Sequence, residues 1–117
     1  MQFMVVETFR NQDAKSIYRR LRDKGRMMPE NLKFVSSWVS ADLGRCFQLM
    51  EADDITLLQR WAAEWSDLIE FEIVPVAQGK DTGAVLAPRV DIALKHSANH
   101  GAERHGKVAM DSLPYLV

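Results

Sequence analysis

At 117 residues, 47% hydrophobic, 26% charged and 9% aromatic, the chain has the length and make-up of one globular domain, which excludes the disordered, collagen-like and disulfide-stapled classes. A chain of this size buries about two thirds of its unfolded surface in a single core. Fifteen Lys and Arg against sixteen Asp and Glu leave a net charge of −1, so no global charge argues for a nucleic-acid or membrane-surface partner.

The first segment, Gln2 to Arg10, reads as a strand with apolar residues on both sides: Phe3, Val5 and Phe9 alternate against Met4 and Val6. Asn11 and Asp13 are helix N-cap types. Beyond them Ala14, Ile17, Tyr18 and Leu21 fall on one helical face, with Lys15, Arg19, Arg22 and Asp23 opposite. Gly25 is placed to end that helix, and Pro29 marks the loop that follows. A second strand, Lys33 to Ser40, sets Phe34, Ser36 and Trp38 on one side and Val35, Ser37 and Val39 on the other. Asp42-Leu43-Gly44-Arg45 is turn material, and a third strand, Arg45 to Glu51, sets Cys46, Gln48 and Met50 against Phe47, Leu49 and Glu51. These two strands read as a hairpin.

Asp53 and Asp54 suit the positive end of a second helix, whose apolar stripe is Leu57, Leu58, Trp61, Ala62 and Trp65. A last strand, Ile69 to Ala77, contains Pro75, which demands an edge position or a bulge. The order strand, helix, strand, strand, helix, strand is the ferredoxin-like βαββαβ arrangement, an α+β fold with a four-stranded antiparallel sheet and both helices on one face. An antiparallel sheet with one wet face alternates cleanly between apolar and polar, and the first and third strands do not. Two helices cover one face only, so the simplest cover for the other is a second copy of the sheet. A homodimer through the sheet face is expected.

Periodicity stops after Ala77. Gln78 to Gly83 reads as linker, Pro88 interrupts any helix over residues 84–95, and the polar, glycine-punctuated run from His96 to Gly106 reads as a poorly ordered tail ending in an apolar segment, Leu113 to Val117, that can dock. The domain is therefore placed at residues 1–77, with 78–117 as linker and tail. No apolar run is long enough for a membrane span or for a signal peptide, so a cytoplasmic location is expected.

The opening strand Phe3-Met4-Val5-Val6, the pair Ser37-Trp38, the stretch Glu51-Ala52-Asp53-Asp54 and above all Trp61-Ala62-Ala63-Glu64-Trp65-Ser66-Asp67-Leu68-Ile69-Glu70-Phe71-Glu72-Ile73-Val74-Pro75-Val76 carry a resemblance. Over its first 77 residues the chain resembles DUF family 3303, a domain of unknown function. The resemblance implies a dimeric α/β barrel and no known reaction, and nothing is carried over to the residues from Gln78 onward.

Four constellations have chemical content. Trp61 and Trp65, spaced i, i+4, share a helix face and with Trp38 form either core packing or an aromatic wall for a flat ligand. Polar residues inside apolar strands are the second: Glu7, Gln48, Glu51, Glu70 and Glu72. Glu7 alternates with Phe3, Val5 and Phe9, so it is solvated at the end of the sheet, or paired with an Arg at a dimer interface, or a general acid or base inside a cavity. Glu70 and Glu72 read as salt-bridge formers. His96, His100 and His105 lie in too polar and glycine-rich a stretch for a rigid metal site, so no metal is expected. Arg19, Arg20, Arg22, Lys24 and Arg26 read as a solvated helix face, since no aromatic residues interleave them for stacking on bases.

Cys46, the sole cysteine, reads as a small buried hydrophobe. No P-loop, Rossmann glycine set or CxxC occurs, and no cofactor is expected. The sequence therefore points to a small apolar or aromatic molecule held between sheet and second helix by Trp38, Trp61 and Trp65, with polar anchors from Gln48, Glu51 or Glu7. The alternative is a cofactor-free oxygenase, isomerase or cyclase-like enzyme that uses Glu7 as its cavity carboxylate.

Overall fold

The computed structural model describes the backbone of residues 1–96 and the side-chain surroundings of residues 1–90. His100, His105 and the apolar end Leu113–Val117 lie outside the described residues, as does the side chain of His96. By internal contacts the chain divides into two units, Met1–Val76 and Ala77–Val117.

The first unit contains β1 (Gln2–Phe9), α1 (Ala14–Lys24), β2 (Lys33–Val39), β3 (Arg45–Glu51), α2 (Ile55–Trp65) and β4 (Ile69–Val76). The strands form one antiparallel sheet in the order β2-β3-β1-β4, the ferredoxin-like arrangement that the element order demands. The elements begin and end where local chemistry directs. The Asp13 carboxylate accepts from the Ser16 amide at 3.1 Å and caps α1; the Asp54 carboxylate accepts from the Thr56 amide at 2.9 Å and caps α2. Gly25 ends α1 at φ +68°, with its amide bonded back to the Leu21 carbonyl. In the β2–β3 turn, Asp42 accepts from the Gly44 amide and the Ser40 hydroxyl.

Burial alternates along the central strands. Phe3, Val5, Glu7 and Phe9 of β1 and Cys46, Gln48 and Met50 of β3 are buried, whereas Met4, Val6, Phe47 and Leu49 between them are half-buried. The buried set shares its core with Ile17 of α1 and Leu58, Trp61 and Trp65 of α2. The sheet therefore has a face that shares a core with the helices and an opposite face that is also largely apolar. On that opposite face the register places Trp38 beside Phe47, and Trp38 and Val74 are exposed.

The sequence leaves open whether Pro75 marks an edge or a bulge. β4 is an edge strand, and its register with β1 is unbroken. The bulge lies instead in β2, where Phe34 pairs with Met50 but Ser36 pairs with Leu49, so that Val35 is the extra residue. The strict alternation read for β2 is thereby corrected. Phe34 stands on the face of Met50, and past the bulge it is Ser37, opposite Gln48, that takes that face.

The second unit departs from the sequence reading. In place of a linker over residues 78–83 and an interruption at Pro88, one helix, α3, runs from Gly79 to His96 with Pro88 inside it. A proline in a helix interior removes one hydrogen bond and kinks the axis, at a cost of about 3 kcal/mol, without having to end the helix. Beside it, the Arg89 guanidinium donates to the Val85 carbonyl at 2.6 Å, next to the Ala84 carbonyl that Pro88 has no N–H to reach. Among the described residues no helix is long and apolar enough to cross a membrane.

Candidate functional site

A cavity of about 240 Å³ opens on the helix-side face of the sheet. Glu7 and Phe9 of β1, Cys46 and Gln48 of β3 and Ser37 of β2 line it from the sheet; Ile17, Tyr18 and Leu21 line it from α1; Trp61 and Trp65 from α2; Arg26 and Ile69 complete it. The volume is that of a one-ring compound with small substituents, since an apolar cavity of about 150 Å³ already accepts benzene.

Its polar floor is one pair. Glu7 is 4% exposed, and the Gln48 side-chain amide donates a short hydrogen bond to one of its carboxyl oxygens. The two lie diagonally across the β1–β3 ladder, where Glu7 faces Cys46 and Gln48 faces Val5. Burial pushes the Glu7 carboxyl from 4.5 up to about 7; the Gln48 bond and the positive charge of Arg26 oppose that rise without cancelling it. The Gln48 carbonyl oxygen is buried and has no hydrogen-bond partner among the described residues. An acceptor left in that state costs about 1–3 kcal/mol, so it is an unused bonding capacity inside the fold.

The aromatic wall is held by a single backbone atom. The indole N–H of Trp61 and that of Trp65 both donate to the Arg26 carbonyl, each at 3.0 Å. Spacing of i, i+4 on α2 makes this convergence geometrically available. Trp61 also meets the edge of Phe71, ring centroids 5.5 Å apart, and the Arg20 guanidinium stands 5.4 Å from the Trp65 ring. The Arg26 side chain stacks on Phe34 at 3.8 Å.

Of the residues singled out in the sequence, Glu7, Gln48, Trp61 and Trp65 come together at the cavity. Trp38 and Glu51 do not. The β2 bulge puts Trp38 on the opposite sheet face, 53% exposed, and Glu51 stands on that same face in register with Gln2 and Lys33. Glu7 is neither solvated nor on the open face. Glu70 is paired with Arg10 at 3.1 Å. The basic helix face is largely engaged: Arg20 binds Asp67 through both its terminal nitrogens, Arg22 binds Asp23, and Arg26 covers Phe34. Among the described residues no cluster of His, Cys, Asp and Glu forms a metal site.

Sequence reasoning does not single out Ser37, Tyr18 or Arg26 as cavity residues. Tyr18 carries a signal, since it falls on the apolar stripe of α1. Ser37 reaches the cavity face only because of the bulge, and Arg26 lines it because its carbonyl is caught by the two indoles.

Cys46 is buried, and burial together with the neighbouring Glu7 pushes its thiol up to about 12, with Arg26 opposing. Such a thiol is protonated at neutral pH and is no nucleophile. In the native protein at pH 8 it is expected to resist a maleimide for hours, and to react stoichiometrically in urea. Rapid labelling of the folded protein would contradict this.

Fold and cavity together define a small α+β protein with a ferredoxin-like sheet and a buried carboxyl facing an aromatic-walled pocket. The chain belongs to the family described as "Domain of unknown function (DUF3303)", whose model matches residues 1–90. That match extends beyond the resemblance noted over residues 1–77 and into α3. No curated protein and no solved structure matches the chain.

Proposed function

We propose that the protein is a small-molecule-binding module that holds one compact, mostly apolar ring compound between the sheet and its helices. The observation that carries this reading is the cavity of about 240 Å³ with aromatic walls and one buried polar pair, since pockets of this make-up are the usual small-ligand sites. The test is a fragment screen read by the indole N–H resonances of Trp61 and Trp65. Ring compounds should shift both, and a screen in which neither moves while Trp38 alone responds would overturn the reading.

A second reading, a cofactor-free enzyme, is favoured by one observation. A cavity carboxyl near 7 is poised to give or take a proton at neutral pH. The two readings part at Glu7→Gln. In that variant a binding module changes only its affinity, whereas an enzyme loses turnover.

The open sheet face supports a partner reading alongside the ligand. Met4, Val6, Phe47 and Leu49 lie half-buried there, with Trp38 and Val74 exposed and Lys33, Arg45, Glu70 and Glu72 among them. We infer that a second copy covers this face, because charges of both signs around an apolar centre suit a self-complementary contact. Light scattering at tens of micromolar should give twice the 13.3 kDa chain mass, and Trp38→Lys should give a monomer. A parent protein that scatters as a monomer would exclude the pairing.

A further inference from the structure

The hydrogen-bonding groups of the cavity are unevenly committed. Both indole N–H groups donate to the Arg26 carbonyl and the Gln48 amide donates to Glu7, while the Ser37 and Tyr18 hydroxyls that also line the cavity can turn either to donate or to accept. Two acceptors of the floor have no donor among the described residues. Gln48 is 8% exposed, and its carbonyl oxygen has no partner among the described residues. Glu7 is bonded through one carboxyl oxygen, while the other receives no hydrogen bond from the described residues.

A ligand whose inner edge carried only acceptors would meet the acceptors of Glu7 and Gln48 there. A ligand with nothing polar would leave the Gln48 oxygen as it is. Only a ligand donor removes the deficit, and the gain is large because the alternative is a buried acceptor with no partner at all. The Arg26 guanidinium is stacked on Phe34, and its charge still acts on the Glu7 carboxyl.

We propose that the cavity selects a ring compound that presents an O–H or N–H donor to the Gln48 carbonyl oxygen and the free oxygen of Glu7. The proposal rests on the binding-module reading and names its ligand class: a phenol-like or azole-like molecule rather than an ether or a plain hydrocarbon. Discrimination comes from the floor, and the aromatic wall supplies area without choosing among rings.

The experiment compares pairs of nearly equal shape on the whole protein: phenol against fluorobenzene, and pyrrole against furan, followed by the Trp61 and Trp65 indole resonances. Phenol and pyrrole should each bind about tenfold more tightly than their partners, the discrimination expected of one hydrogen bond to an otherwise orphaned acceptor. Gln48→Leu, which keeps the bulk and deletes the acceptor, should shrink that preference severalfold and leave fluorobenzene binding unchanged or improved. The probe pairs need no variant, so a Gln48→Leu protein that fails to fold does not blunt the test. Equal binding within both pairs overturns the donor class and leaves the cavity reading standing. Binding by none of the four compounds overturns both.

Discussion

Glu7→Gln is expected to make the protein more stable at pH 8 than its parent and nearly indifferent to pH between 5 and 8. The sign follows from the direction in which burial moves the carboxyl. Raised from 4.5 to about 7, it binds its proton more tightly in the folded chain than in the unfolded one. Between those values the folded state carries the extra proton, so stability is highest on the acid side and falls as pH rises through 7. A rise of that size corresponds to about 3 kcal/mol as an upper bound. The carboxyls of Asp13, Asp42, Asp54 and Asp67 are all held low by hydrogen bonds. Their contribution is lost only in acid, below the window used.

Glutamine imitates the protonated acid, and its new amide can donate to the unpartnered Gln48 oxygen. Urea midpoints at pH 5 and pH 8 provide the check. The parent should lose stability across the interval and the variant should not; parallel behaviour of the two would show that Glu7 is not the group responsible.

Replacing both cavity tryptophans is expected to cost more than the two single replacements added together. Trp61→Phe and Trp65→Phe should each cost about 1–3 kcal/mol, the range for disturbing a buried aromatic position. In either single variant the Arg26 carbonyl keeps one indole donor. In the double variant it has neither, and the loop from Gly25 to Pro29 loses both hydrogen bonds to α2. Groups that share one partner do not behave independently, and an excess of about 1 kcal/mol is expected. Circular dichroism during urea unfolding reads all four proteins without relying on indole emission. Additivity within about 0.3 kcal/mol would mean that the carbonyl finds another donor and that the shared bond is incidental.

The strand and helix order is legible because each element carries its own punctuation. Asp13, Gly25, Asp42, Asp54 and Pro75 all act where their chemistry directs. The candidate site is legible in β1, β3 and α2, where a clean period of two or 3.6 assigns each side chain to a face; Glu51, expected as an anchor, fails because that same period sets it on the face opposite that of Gln48. Legibility fails in β2, because a bulge inserts one residue without changing composition. No residue type at Phe34-Val35-Ser36 announces it, and from there the expected face of every following side chain is reversed. Trp38 is lost from the pocket and Ser37 gained for this one reason. The helical run through Pro88 is illegible for a different reason. The penalty of an interior proline is finite, and whether the flanking turns outweigh it depends on the sum over the helix rather than on the single residue.

The two outer strands, β2 and β4, differ from the central pair in one further respect. An outer strand normally offers a row of free amides and carbonyls on which another chain can lengthen the sheet. Here β4 carries Pro75, which has no amide to offer, and a run of Glu70 and Glu72, while β2 carries Lys33 and a kinked ladder at Val35. Both flanks are thus poor templates for a visiting strand. Ribbons and fibrils, which grow by such lateral addition, are disfavoured by the way the sheet ends.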